Sequence, residues 1–192
     1  MEVAIAGFGG QGVLFAGLVL AHAGTDAGLN VAWIPFYGPE MRGGTAGCTV
    51  ILSEEEVGSP IVSHPAAVVA LNEPSLAKWG PRVRPGGVLV VNTSLAKSSV
   101  ERADVRVVPI PATEVAAALG SDKVANVVAL GALIKATGAL PLDVVERAIA
   151  ETLGPGKERY LTLDCEALRR GAALARARPR WPSERVEPEN PS

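Results

Sequence analysis

Apolar residues in this chain fall into short blocks separated by glycine, proline and small polar clusters, and the blocks alternate between two periods. Val3 to Ala6 is an apolar run with the character of a strand, and Val13 to Leu20, beyond an intervening glycine cluster, opens a helix that ends near Gly28. Val31 to Pro35, Cys48 to Ser53, Ala66 to Leu71, Val88 to Val91 and Asp104 to Ile110 read as further strands. Glu54-Glu55-Glu56 reads as a solvated turn after the third of them. Asn72 is placed to cap a two-turn helix, Glu73 to Trp79, which Gly80-Pro81 stops.

The last third is predicted to be helical. Pro111 through Leu119 forms a short helix closed by Gly120, and Ser121 caps Asp122 to Thr137, whose apolar positions crowd almost every face and predict burial. Pro141 preorganises Leu142 to Leu153, with Gly154-Pro155 as its stop, and Leu163 to Ala177 is the final helix. Strands alternating with helices predict an α/β fold: a three-layer, Rossmann-like domain with a mostly parallel sheet and a helical C-terminal third, over residues 1–178. The segment from Cys48 to Leu71 is the candidate for an antiparallel strand. Pro179, Pro182, Pro188 and Pro191 punctuate residues 179–192, which read as a disordered tail.

Composition narrows the function classes. With 192 residues, 48% of them apolar, the chain can bury one sizeable core. A net charge of −2 exerts no global pull toward nucleic acid or an anionic membrane. Arg169, Arg170, Arg176, Arg178, Arg180 and Arg185 are interspersed with acids and lack an aromatic ladder, so they read as a solvated helix face and tail. The N-terminus has no basic region before its apolar run, and glycine breaks that run. A signal peptide, a membrane span and a membrane partner are therefore not expected, and a cytoplasmic location is. Cys48 and Cys165 show no C-x-x-C spacing and no nearby histidine, so neither a zinc site nor an iron–sulfur cluster is expected from this chain alone. Cys48 reads as a reduced, buried thiol, and His22 and His64 as structural or surface residues.

Two glycine-rich stretches carry the candidate chemistry. Gly7-Phe8-Gly9-Gly10-Gln11-Gly12 matches the dinucleotide fingerprint at Gly7, Gly9 and Gly12 and lies between strand and helix. The acidic ribose-binding residue that should end the second strand is missing, because Val31-Ala32-Trp33-Ile34 runs into Pro35-Phe36-Tyr37. Gly7, Gly9, Gly10, Gln11 and Gly12 are thus candidates for a phosphate, another anion or a partner's backbone, or for a turn that only packs a helix onto a sheet. In the second stretch, Pro35 and Pro39 stiffen a segment bearing Tyr37, Glu40, Met41 and Arg42, and Gly43-Gly44 precede Thr45. It reads as a loop presenting a fixed charged pair, or as a surface turn whose Glu40 and Arg42 are merely solvated.

Both stretches, with Cys48-Thr49-Val50, Ser53, Ser59-Pro60, Ala112-Thr113-Glu114 and Val124 to Ala132, resemble the gamma subunit of 2-oxoacid:ferredoxin oxidoreductases over residues 1–171. The corresponding small subunit of an indolepyruvate:ferredoxin oxidoreductase is the alternative within the family. The resemblance implies a complex that oxidatively decarboxylates a 2-oxoacid on thiamine diphosphate, passes electrons through iron–sulfur clusters to ferredoxin, and releases an acyl-coenzyme A. It places the thiamine and clusters on alpha and beta subunits, with a delta subunit as a further candidate partner, and leaves no catalytic residue in this chain alone. Tyr37, Glu40, Met41, Arg42, Gly43, Gly44 and Thr45 then become a loop reaching the subunit boundary. Two rivals from other classes are a nicotinamide-dependent dehydrogenase domain and a regulatory or nucleic-acid-binding module.

Overall fold

The strands β1 (Glu2–Phe8), β2 (Asn30–Tyr37), β3 (Thr45–Ser53), β4 (Ala67–Ala70), β5 (Val88–Asn92) and β6 (Arg106–Ile110) form one sheet in the order β2-β3-β1-β4-β5-β6. A computed structural model describes residues 1–38, 45–154 and 156–176 of the chain. The helices are α1 (Val13–Asp26), α2 (Glu73–Trp79), α3 (Ala112–Ala118), α4 (Ala125–Thr137), α5 (Leu142–Leu153) and α6 (Glu158–Arg176). Pairing is parallel from β1 through β4 and β5 to β6. It is antiparallel where β3 lies between β1 and β2. The α/β class, the mostly parallel sheet and the antiparallel strand drawn from Cys48 to Leu71 are all present.

The two faces of the sheet are covered unequally. Alternate residues of the strands, such as Val3, Ile5, Val50, Val69, Val90 and Val108, join a core with α1, α3, α4, α5 and α6. The intervening positions Ala4, Ala6, Val68, Ala70, Leu89 and Val91 meet Leu76 and Trp79 of α2. We call these the thick and thin faces.

On the thick face, α4 is apolar around its circumference and buried from Asn126 to Ile134, as its sequence predicts. It crosses α6 through glycines: a Cβ on Gly131 would collide with the carbonyl oxygen of Leu168, and one on Gly171 with that of Val128. Close approach of two backbones is what glycine permits here. On α1, Gly17 instead makes room for a side chain, with Cys48 Sγ of β3 lying directly over it. Cys48 is fully buried, its thiol donates to the Val13 carbonyl at 3.6 Å, and burial pushes its pKa up to about 12. It is a packing residue, a protonated thiol at neutral pH. His22 is likewise structural, with Nδ1 3.0 Å from Thr152 Oγ1 between α1 and α5.

Two helix starts differ from the sequence reading. Ser121 does cap, accepting from the Lys123 main-chain N–H, but it caps a 3-10 turn, Asp122–Val124, and α4 begins only at Ala125. The final helix begins at Glu158, ahead of Leu163, because Leu161 already packs on the core although its neighbours are polar. Among the described residues, no helix is long and apolar enough to cross a membrane. The predicted tail lies outside the described residues.

Candidate functional site

β1 feeds α1 on the thick face, whereas β4, its parallel neighbour, feeds α2 on the thin face. The connections that leave the carboxyl ends of β1 and β4 therefore diverge to opposite faces of the sheet, which leaves a crevice between them. A cavity of about 290 Å³ lies at this point, lined by Gly10 and Gln11 after β1, Leu71 after β4, Asn92 of β5, Thr113 at the start of α3, and Asp122, Lys123 and Ala125 at the approach to α4.

The glycine turn forms one wall, and its residues divide into two roles. Gly10 and Gly12 take left-handed backbone angles, φ 96° and 69°, which branched residues avoid. Gly7 and Gly12 leave no room for side chains: a Cβ on Gly7 would sit 2.7 Å from Gln11 Oε1, and one on Gly12 would sit 2.5 Å from Asn126 Nδ2. Asn126 donates to the Gly12 carbonyl at 2.8 Å, binding the turn to α4, while its own Oδ1 is buried without a partner. Gly9 is exposed in the turn. Only Gly10 and Gln11 of the five candidates line the crevice.

Gln11 occupies the inside of its own turn. Its Oε1 accepts from the Phe8 main-chain N–H at 2.7 Å and from Asn72 Nδ2 at 3.0 Å. Asn72 in turn caps α2, its Oδ1 accepting from the Ser75 N–H at 3.0 Å. A matching carboxamide ends β5: Asn92 Nδ2 donates to the Leu71 carbonyl at 3.1 Å and to Thr113 Oγ1 at 3.0 Å, and Asn92 Oδ1 accepts from the Thr113 N–H. Three carboxamides thus stand after or at the ends of β1, β4 and β5 and fix the crevice floor. Sequence reasoning found Gln11 through its motif and Asn72 as a cap, but missed Asn92 and Lys123 as site residues. An asparagine ending an otherwise apolar predicted strand was the available signal.

The nicotinamide reading fails on topology as well as on the missing acid. In a dinucleotide fold the second strand lies beside the first, so an acid at its end reaches the ribose. Here β3 intervenes between β1 and β2. The turn's Phe8 N–H, moreover, is already occupied by Gln11 Oε1.

Of the second candidate loop, Tyr37 and Thr45 are described, joined through Gly38, whose N–H donates to the Thr45 carbonyl at 2.5 Å. Glu40, Met41, Arg42, Gly43 and Gly44 lie outside the described residues. Thr45 pairs with Phe8, so this loop leaves the sheet beside the glycine turn. Phe8 is 36% exposed, Tyr37 69% and Leu95 44%, three large side chains at or just beyond the carboxyl ends of β1, β2 and β5, of which Leu95 lines the crevice. Among the described residues, no group of three or more His, Cys, Asp or Glu is placed to hold a metal. Cys48 lies on β3 and Cys165 on α6, so the two thiols do not converge as cluster ligands.

Residues 2–174 match the model of the pyruvate ferredoxin/flavodoxin oxidoreductase family, and the chain belongs to that family. It is 42% identical over 179 residues to ketoisovalerate oxidoreductase subunit VorA of Methanothermobacter thermautotrophicus (strain ATCC 29096 / DSM 1053 / JCM 10044 / NBRC 100330 / Delta H), covering 92% of this chain and 36% of that protein. The chain thus spans about a third of the length of the VorA relatives it matches. It is also similar to the keto/oxoacid ferredoxin oxidoreductase gamma subunit from Geobacter sulfurreducens PCA, with TM-score 0.78 and 29% identity over 92% of this chain and 98% of that one. A third likeness is to the 2-oxoglutarate:ferredoxin oxidoreductase from Magnetococcus marinus, with 2-oxoglutarate, coenzyme A and succinyl-CoA bound, at TM-score 0.83 and 26% identity over 92% of this chain and 31% of that one.

Proposed function

We propose that this chain is the gamma-type subunit of a complex that oxidatively decarboxylates a 2-oxoacid to an acyl-coenzyme A and reduces ferredoxin. The observation that carries this reading is the likeness to the Geobacter gamma subunit along nearly the whole of both chains. In this reading thiamine diphosphate and the iron–sulfur clusters reside on alpha and beta partners, and for the clusters the placement of the two thiols on separate elements, β3 and α6, supports that division. Coenzyme A serves as the acyl acceptor of the complex, as its presence with succinyl-CoA in the Magnetococcus structure supports. The complex works in the cytoplasm.

In this reading the end of the sheet where β1, β2 and β5 finish and the crevice opens is the side that meets the other subunits. Phe8, Tyr37 and Leu95 expose apolar surface there, and the loop containing Glu40 and Arg42 springs from the same end. Arg42 has the planar fork that grips a carboxylate or phosphate at two points, a geometry lysine does not reproduce. The test is purification of a tagged chain from its own cells and assay with a 2-oxoacid, coenzyme A and ferredoxin or a dye. Larger subunits should co-purify, and turnover should require both them and this chain. Arg42→Ala should cost about 3–5 kcal/mol of assembly by leaving an anionic partner buried and unpaired, and Arg42→Lys should not restore it. A chain that purifies alone, beside a complex that turns over without it, overturns the reading.

A further inference from the structure

Hydrogen bonding around the crevice is lopsided. Asn92 is fully engaged, its Nδ2 donating twice and its Oδ1 accepting from Thr113. Thr113 Oγ1 accepts from Asn92, which leaves the hydroxyl proton to donate. Gln11 is oriented without ambiguity: the Phe8 main-chain N–H can only donate, so the atom 2.7 Å from it is Oε1. The Gln11 Nε2 group, with two protons, then meets no acceptor among the described residues, and Lys123 brings an ammonium with no ion pair among them. Leu71, Leu95 and Ala125 supply apolar wall, and Asp122 stands beside Lys123.

We propose that this crevice is a carboxylate-binding site, with Gln11 Nε2 and the Thr113 hydroxyl as donors and Lys123 as the countercharge. A carboxylate accepts from two or more donors and carries one negative charge. A single lysine, with Asp122 also on the rim, can balance one negative charge better than the two of a phosphate dianion. The glycine turn does not supply a phosphate cradle either, because Gln11 Oε1 already takes the Phe8 N–H. The apolar wall suits a short aliphatic stem, either that of a free carboxylic acid or that of an Asp or Glu on a neighbouring subunit. The site stands on crevice geometry, and only the second of these sources rests on the proposed subunit role.

The experiment titrates the ¹⁵N-labelled full chain with sodium acetate and, at matched ionic strength, with inorganic phosphate, following main-chain and side-chain amides by NMR. Acetate should shift the Gln11 side-chain amide and the Thr113 amide saturably, with phosphate the weaker ligand. Gln11→Glu keeps an acceptor for Phe8 and Asn72 but replaces the donors with charge, so the melting temperature should hold while acetate affinity, read at Thr113, falls at least about tenfold. Shifts that are absent, that spread over surface lysines and arginines, or that survive unchanged in Gln11→Glu overturn the proposal. Acetate that loosens the chain from co-purified subunits identifies the occupant as a partner's carboxylate, and acetate binding that persists in the complex identifies a free acid. Failure to co-purify any subunit would sink the proposed function while leaving the acetate result on the isolated chain intact.

Discussion

α4 and α2 are attached to the same sheet by opposite means. On the thick face, α4 is apolar on all sides and meets α6 backbone to backbone through Gly131 and Gly171. On the thin face, α2 is only two turns long and is held at its ends by polar groups. Asn72 caps it, Glu73 accepts from the Lys97 and Ser98 amides, and Trp79 packs on Phe36 with ring centroids 5.6 Å apart beneath Lys78. The Glu73 carboxyl is held below its ordinary pKa, the nearby Ser98 side chain contributing most and the Lys97 amide next. Where apolar burial suffices, the helix needs shape, and where it does not, the helix needs specific donors and acceptors. The crevice belongs to the second kind of construction, since Asn72 serves both the α2 cap and Gln11.

The largest effect should come from destroying the backbone contact on the thick face. Gly171→Ala places a methyl group against the Val128 carbonyl, which cannot rotate away, so α4 and α6 must separate. Overpacking of a rigid site costs about 3 kcal/mol or more, and thermal unfolding should show a drop of many degrees. An unchanged melting temperature would show that the α4–α6 crossing adapts.

Asp164 is the exception on the thick face, a carboxyl on α6 with only 6% of its surface exposed. Burial raises its pKa from the ordinary 3.8 to about 6. A raised folded-state value means that the unfolded chain gives up this proton first. The contribution of this group to stability is therefore best below about pH 4, declines as pH rises through about 6, and is flat above. Asp164→Asn removes the dependence, and relative to the parent it should gain about 3 kcal/mol at pH 8 and nothing at pH 3.5. Denaturant unfolding at the two pH values measures the difference, and equal gains at both would exclude ionisation as the cause.

Legibility followed the same division. Periodicity and end signals placed β1, α1, β4, α2 and β5 because those cues are local: an apolar run, a glycine stop, an Asn cap. The insertion of β3 between β1 and β2 was only partly visible, since pairing partners are chosen by long-range packing and nothing in Thr45–Ser53 names its neighbours. Gly131 and Gly171 carry no motif, and a glycine inside a helix reads as a weakness until a second backbone is found against it. For the site, the G-x-G-x-x-G pattern pointed to the turn that borders the crevice, but the nicotinamide it is associated with does not suit the strand order. The decisive contact joins Gln11 to Asn72, sixty-one positions away, and such a pairing leaves no trace in spacing.

The smallest effect, and the one that ties the thin face to the crevice, is expected at Asn72. Its Oδ1 satisfies the Ser75 N–H in a residue only 2% exposed, and its Nδ2 reaches Gln11 Oε1. Asn72→Ala removes both, and loss of an N-cap alone costs about 1 kcal/mol. Asn72→Asp separates the two roles. The aspartate still accepts from Ser75 and, near the positive end of α2, caps as well as the parent, so global stability should be nearly kept. It cannot donate to Gln11 Oε1, and its charge repels that oxygen, so the Gln11 carboxamide should lose its fixed orientation while α2 stays in place. Amide hydrogen exchange distinguishes the variants: the alanine should speed exchange at Ser75 and through α2, and the aspartate should speed it at Phe8 while sparing Ser75. If the aspartate leaves Phe8 as protected as in the parent, Gln11 is held by its own turn alone, and the thin face does not set the geometry of the crevice.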